Sequence, residues 1–235
     1  METLWLKFVL TSDATFGRGD GLAGVVNEEV QHDEYGLPYL HGRTLKSLLT
    51  AACAEIVYAL ERARPEQRER WARAAAFLFG DPGSRAEAGN LRVGNAHLPR
   101  DLRAGIQDDF RALTYENDAA RAWSAQRAIL LDSLTALRRQ TMMDETGAPR
   151  DETLRTIRVI LRETPFEAAL VLDDAGDENA DRDARALLAA CVKTFRRAGT
   201  GRNRGRGKLR AQLVAAEDAR DVTDSYFMPL REALV

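Results

Sequence analysis

Residues 3–11 alternate polar and apolar positions and are rich in β-formers. This predicts a strand with Leu4, Leu6, Phe8 and Leu10 on one face. Gly17, Gly19, Gly21 and Gly24 make a helix costly in the next stretch, which reads as a loop. Val25 to Asp33 reads as a short extended piece ending in the turn Asp33–Gly36. Pro38 biases Leu37 away from helix, so 37–42 is extended. Thr44 is a plausible N-cap for a helix over 45–63. A second helix starts at Pro65, a good first-turn residue, and ends near Gly80. After a loop at 84–90, Leu91 to Leu98 reads as a strand, and 100–131 is mixed and partly helical. Two arginine-rich segments flank the turn residues Asp144–Pro149, which predicts a hairpin-like excursion over 134–162. A strand at 166–172, an acidic loop at 173–183, a helix at 182–197, a loop at 198–207 and a strand at 209–214 follow. The tail, 215–235, is acidic and then amphipathic. This order suits an α+β fold, an open antiparallel sheet with helices on one face.

Charge changes the picture more than composition does. The 235 residues are 45% hydrophobic and 30% charged, which suits a folded globular chain. No apolar run nears the ~18 residues that span a membrane, so no membrane partner is expected. The start has no basic segment followed by a long apolar one, so no signal peptide is read there. The two cysteines, Cys53 and Cys191, lie in alanine-rich contexts and read as buried free thiols. That fits a reducing cytoplasm. Between Lys193 and Arg210 the chain carries Lys193, Arg196, Arg197, Arg202, Arg204, Arg206, Lys208 and Arg210 with no acid. The whole chain sums to −2, so the remainder is strongly acidic. Such asymmetry points to a polyanionic partner.

The loop 199–207 is the most informative feature. Its glycines let the backbone approach a ligand closely. Arg202, Arg204 and Arg206 interleave them with forked donors that match phosphate oxygens, and Asn203 lies between. A solvated basic loop is the bland reading of the same residues. The excursion at 134–162 adds Arg138, Arg139, Arg155 and Arg158 on its arms, with Met142 and Met143 near its tip as possible wedges between bases. Arg43 and Lys46 sit at the start of the first helix, where unpaired amides favour anions. Asp20, Glu28, Glu29, His32 and Asp33 are the acid and base candidates. Acids there could hold a hard divalent metal such as magnesium or manganese, or orient a ribose hydroxyl; as solvated loop residues they do neither. Phe16, Tyr35 and Tyr39 lie outside both arginine-rich segments. Binding is therefore expected to depend weakly on sequence and strongly on salt.

The stretch Gly199-Thr200-Gly201-Arg202-Asn203-Arg204-Gly205-Arg206-Gly207 resembles the C-terminal glycine-rich loop of the RAMP superfamily of CRISPR proteins. Leu37 to Leu49 resembles that family's early motif, with His41 replacing its proline and Ser47 its glycine. Leu137 to Val159 looks like the thumb of type III-D members. The matches run in order from about residue 4 to 214. The resemblance implies a single RAMP domain over 1–235, with a ferredoxin-like (RRM-type) core, helical insertions and a β-hairpin thumb. It implies a backbone subunit of a type III CRISPR effector complex, with CRISPR RNA, target RNA and other effector subunits as partners. Guide pairing would supply sequence specificity while the protein reads backbone and shape.

In related subunits a loop aspartate supports metal-dependent cleavage of target RNA. The matching position here is Asn27, and an amide cannot act as an anionic ligand or base. Three readings follow. The chain binds without cutting; Asp20 or Asp33 takes the role; or Asn27 replaces a natural aspartate and traps bound target. A nuclease that processes precursor CRISPR RNA is a further role on this fold, with His32 and His41 as its nearby support.

Overall fold

In a computed structural model of the chain, the described residues are 1–21, 26–80, 89–114, 118–141, 144–148, 150, 153–217 and 219–234. The alternation at the start forms β1 (Glu2–Leu10), with Leu4, Leu6, Phe8 and Leu10 all buried. It is one of two inner strands of a sheet with β2 (Leu91–Val93), β5 (Pro165–Leu172) and β6 (Leu209–Ala215), ordered β2-β5-β1-β6 and antiparallel throughout. The register places like with like: Leu6 faces Ala168 on one side and Leu213 on the other. A one-residue slip would turn all of these outward.

Helices α1 (Gly42–Ala63), α2 (Arg68–Phe79), α5 (Glu178–Thr194) and α6 (Thr223–Glu232) pack together, with α5 and α6 also packed on β6. Their apolar residues and those of the strands form a shared core that contains Leu49, Trp71, Leu78, Leu187 and Leu188. Phe8 anchors it, stacked on Phe166 at 5.2 Å and edge-on to Phe195 at 5.7 Å. The sheet's other face carries Trp5, Lys7, Val9 and Glu167. They line an open groove of about 1100 Å³ beside the start of α3 (Arg100–Leu113). Strand β1, α1, β2, then β5, α5 and β6 give a strand–helix–strand, strand–helix–strand order. Between β2 and β5 lie α3, α4 (Ala119–Leu134) and a separate hairpin, β3 (Thr135–Gln140) with β4 (Arg155–Ile160).

Several boundaries differ from the sequence expectation. Thr44 does not cap α1; His41 occupies that position and its side chain makes no cap bond. The cap comes from Asn95, whose Oδ1 accepts from the Gly42 amide at 2.8 Å. A side chain at 42 would collide with the Val93 and Gly94 backbone, so only glycine allows that approach. The helix expected at 182–197 starts earlier, because Asp177 accepts from the Ala180 amide and caps it. The strand expected at 91–98 ends at Val93 and continues only as single bridges, Ala96 to Leu40 and His97 to Glu167. The mixed region 100–131 is largely two helices, tied by the rings of Phe110 and Trp123 at 4.6 Å. Pro65 opens a short 3-10 turn before α2. The acidic loop expected over 173–183 is shorter, since α5 takes in its second half from Glu178, and the amphipathic tail contains α6. Met142 and Met143 lie outside the described residues. No helix among the described residues is long and apolar enough to cross a membrane. Cys53 and Cys191 are both free and buried.

Glu2 joins the end of the chain to its start. Its carboxylate accepts from Tyr226 Oη at 2.7 Å and from Arg185 Nε at 2.7 Å. The Tyr226 phenol is pushed up from 10.0 to about 12, by burial first and then by this hydrogen bond. The folded chain therefore holds a proton that the unfolded chain releases above pH 10. The Tyr226 contribution is complete below pH 10 and is lost as pH rises towards about 12. Tyr226→Phe is expected to lower stability at neutral pH and to flatten the profile across that window, read by urea unfolding on either side of it. In the core, Leu6→Ala should cost about 2–5 kcal/mol by the same assay, as a cavity in a packed interior does.

Candidate nucleic-acid interface

The glycine–arginine loop lies against the chain just after β1. Thr200 donates its amide to the Thr15 carbonyl at 2.9 Å, and Gly207 to the Asp13 carbonyl at 2.9 Å. Ala198 closes the base of the loop on the Gly207 carbonyl at 2.9 Å. Gly199 (φ 86°) and Gly207 (φ 66°) are both left-handed, and a side chain at either would strike a backbone carbonyl, of Thr15 or Ala198. The glycines are there for close approach of protein to protein as much as to any ligand. Residues Arg202–Arg204 form a short 3-10 turn and stand exposed.

The β3–β4 hairpin faces this loop. Arg206 approaches Gln140 Oε1 at 3.5 Å. Together Gln140, Arg155, Gly199, Thr200, Arg202, Asn203, Arg204 and Arg206 line a cleft of about 550 Å³, with Glu28 its single acid. Arg202, Arg204 and Arg206 meet Arg155 there across roughly fifty residues of sequence. Gln140, Thr200 and Glu28 complete the lining. Gln140 and Thr200 are uncharged, so charge patterning does not single them out, although Thr200 lies within the glycine-rich motif.

The other arginines of the hairpin have different work. Arg158 is 14% exposed and lies between Glu29, at 3.0 Å, and Asp132, at 2.8 Å. It also donates to Thr135 Oγ1 at 3.0 Å. Its charge is matched inside the protein, where it ties α4, β4 and the segment before α1. Arg138 is paired with Asp13 through two nitrogens, at 2.9 and 3.1 Å. Arg139 is exposed, with no ion pair among the described residues. Arg43 is exposed at the start of α1. Lys46 points away from the cleft, donating to the Leu91 carbonyl at 2.8 Å. Partial burial lowers the pKa of its ammonium.

The acid candidates do not converge. Asp20 is held by Arg18 through two bonds of 2.8 Å, and this hydrogen bonding lowers the Asp20 pKa. Asp33 organises its own turn, Oδ1 accepting from the amides of Tyr35 at 3.0 Å and Leu37 at 2.9 Å. Asn27 is exposed and attached to the hairpin. Its amide donates to the Thr156 carbonyl at 2.7 Å, and its Oδ1 accepts from the Thr156 amide at 2.8 Å. No three His, Cys, Asp or Glu side chains among the described residues group closely enough to hold a metal ion. The described acids therefore form no assembled set of three protein ligands for magnesium or manganese. His32 contacts the Asp33 carbonyl at 3.1 Å and Arg127 at 3.4 Å. His41 instead shares a ring cluster with Tyr39 and His97, at 5.0 and 5.2 Å from Tyr39. Burial, and then Arg103, push the His97 pKa down.

A family model described as the RAMP superfamily matches residues 7–210. The chain belongs to the RAMP superfamily. No curated protein matches the sequence. Among solved structures, a chain from the type III-B Cmr-beta complex bound to cognate target RNA aligns with a TM-score of 0.60 at 11% identity, covering 91% of this chain and 97% of that one. A chain from the apo state of the same complex aligns with a TM-score of 0.56 at 13% identity, over 93% and 99%. Oligomeric Cmr4 from Pyrococcus furiosus aligns with a TM-score of 0.52 at 12% identity, over 93% and 100%. At these identities the likeness is one of fold. This RAMP chain shares a backbone arrangement with those subunits while retaining few of their side chains.

The two hairpin arginines, Arg155 and Arg158, should separate cleanly in a stability assay. Arg158→Ala strands Glu29 and is expected to cost about 3–5 kcal/mol. Arg155→Ala, exposed in the cleft, should stay within about 0.5 kcal/mol. Urea midpoints of the two variants check this.

Proposed function

We propose that this RAMP protein is an RNA-holding backbone subunit of a type III CRISPR effector complex, working in the cytoplasm with CRISPR RNA, target RNA and other effector subunits. The observation that carries the reading is the cleft in which Arg155 meets Arg202, Arg204 and Arg206. Four guanidiniums with one acid suit a run of phosphates, and the adjoining backbone amides add further donors. The likeness to chains from Cmr complexes, one of them bound to target RNA, supports it. So do the two free thiols, which suit a reducing compartment. The strand–helix order of the core supports a ferredoxin-like reading, with the β3–β4 hairpin as the thumb and residues 1–235 as one RAMP domain.

In this reading the chain holds RNA without cutting it. Position 27 carries an amide whose oxygen is committed to Thr156, Asp20 is held by Arg18, and Asp33 gives Oδ1 to its turn while Oδ2 is buried. A precursor-processing site built on His32 and His41 finds no support, since those rings have different partners.

Two measurements test the proposal. In filter binding with single-stranded RNA, replacing Arg202, Arg204 and Arg206 together by alanine should weaken affinity uniformly across sequences. It should also flatten the plot of log affinity against log salt by about 2 units, at ~0.7 for each phosphate no longer neutralised. An unchanged slope would remove the cleft from consideration. In the guide-loaded complex with magnesium, the unsubstituted chain should release no product at the positions this subunit sets. Comparison with Asn27→Asp asks whether that position alone withholds cleavage, and cutting by the unsubstituted chain would refute the non-cleaving reading.

A further inference from the structure

Beside the basic cleft lies a second, smaller hollow. Thr200 and its neighbours Gly199 and Arg202 form the wall between the two. The far side is lined by Phe16, Gln31, Tyr39, His41, Thr44 and Leu48. The volume is about 230 Å³. That is below the roughly 300 Å³ where sites for drug-sized ligands begin, and suits one planar ring rather than a chain of residues. Its lining differs in kind from the cleft. Arg202 is its single full charge, and Tyr39 and His41 supply aromatic surface.

The polar atoms are arranged in a pair. Gln31 Nε2 donates to Tyr39 Oη at 2.7 Å. That bond occupies the acceptor side of the phenol and leaves its hydrogen to give. The Gln31 side-chain oxygen, Oε1, has no hydrogen bond among the described residues, while the backbone carbonyl of Gln31 accepts from the Tyr39 amide at 3.1 Å. A donor and an acceptor therefore sit side by side, in a hollow that Thr44 also lines. Tyr39 is itself braced, stacked on His97 at 5.2 Å with an interplanar angle of 26°. His41 meets it edge-on at 5.0 Å and is exposed, so one imidazole face is open to a ligand.

We infer that this hollow is a base subsite: it takes one unpaired nucleobase from a strand whose phosphates lie along the glycine–arginine loop. This rests on the reading of that loop as an RNA-backbone site. A base offers the two things the hollow lacks, a π-face for His41 and Tyr39 and an edge with neighbouring donor and acceptor. Every base presents such an edge, so the subsite should favour the presence of a base over its identity. This revises the expectation of an interface without aromatic platforms. The rings are absent from the arginine-rich segments of sequence but adjacent to them in space.

The test compares two single-stranded RNAs of equal length, oligouridine and the same backbone without bases, by fluorescence anisotropy on the full chain. The unsubstituted chain should favour oligouridine by about tenfold, the usual scale of one stacked base. Tyr39→Ala should erase that preference, and so should His41→Ala. The second variant removes an exposed ring that makes no cap bond, so it guards against misfolding of the first. If both folded variants retain the preference, or the unsubstituted chain has none, the base subsite is refuted. A variant with Arg204 and Arg206, which do not line the hollow, both replaced by alanine reports separately on the loop, because it should weaken both strands equally. Were it to weaken neither, the backbone reading would fail whatever the bases do.

Discussion

The structure depends on a close approach between two stretches of backbone. The loop after α5 returns along the chain that follows β1, and hydrogen bonds from Thr200 to Thr15 and from Gly207 to Asp13 hold it there. Gly199 and Gly207 make this possible, since any side chain at either would occupy the space of a carbonyl oxygen. The loop's position is thereby set by the sheet. Strand β1 pairs with β6 on one side, and the loop runs from the end of α5 into β6 beside that pairing. Arginines on a loop fixed in this way can act as a preformed surface, which lowers the entropy lost on binding a flexible strand.

The same economy runs through the hairpin. Arg158 is sequestered between Glu29 and Asp132, and this locks β4 to the segment that carries Asn27. Main-chain bonds from Asn27 and Glu28 to the hairpin strengthen the join. A buried charge pair of this sort is weak evidence for stability in itself but costly to break. Its value here is positional, because it leaves Arg155, three residues earlier, directed to the cleft. Two arginines of similar sequence context are thus divided between the protein interior and the cleft.

Two kinds of lining meet on either side of Thr200. The cleft concentrates guanidiniums. The hollow offers mainly rings and uncharged polar atoms. Neither has a cluster of acids suited to a metal among the described residues.

Local patterns in the sequence determined the elements and their order. The alternation in β1, the strand at 166–172, the long helix after residue 42 and the interleaved glycine and arginine at 199–207 were all readable, because burial periodicity and backbone freedom are properties of adjacent residues. The family resemblance likewise rested on contiguous motifs. Tertiary structure decided whatever needed a partner from far along the chain. Asn95 caps α1 from fifty-odd residues away, which is why Thr44 does not. Arg158 is neutralised by acids that precede it by 129 and 26 residues, so its charge alone could not reveal its role. Tyr39 reaches the arginine loop only because the sheet folds them together. A side chain's type is written in the sequence, but whether its charge or ring is spent inside the protein or kept for a ligand is decided by what the fold places against it.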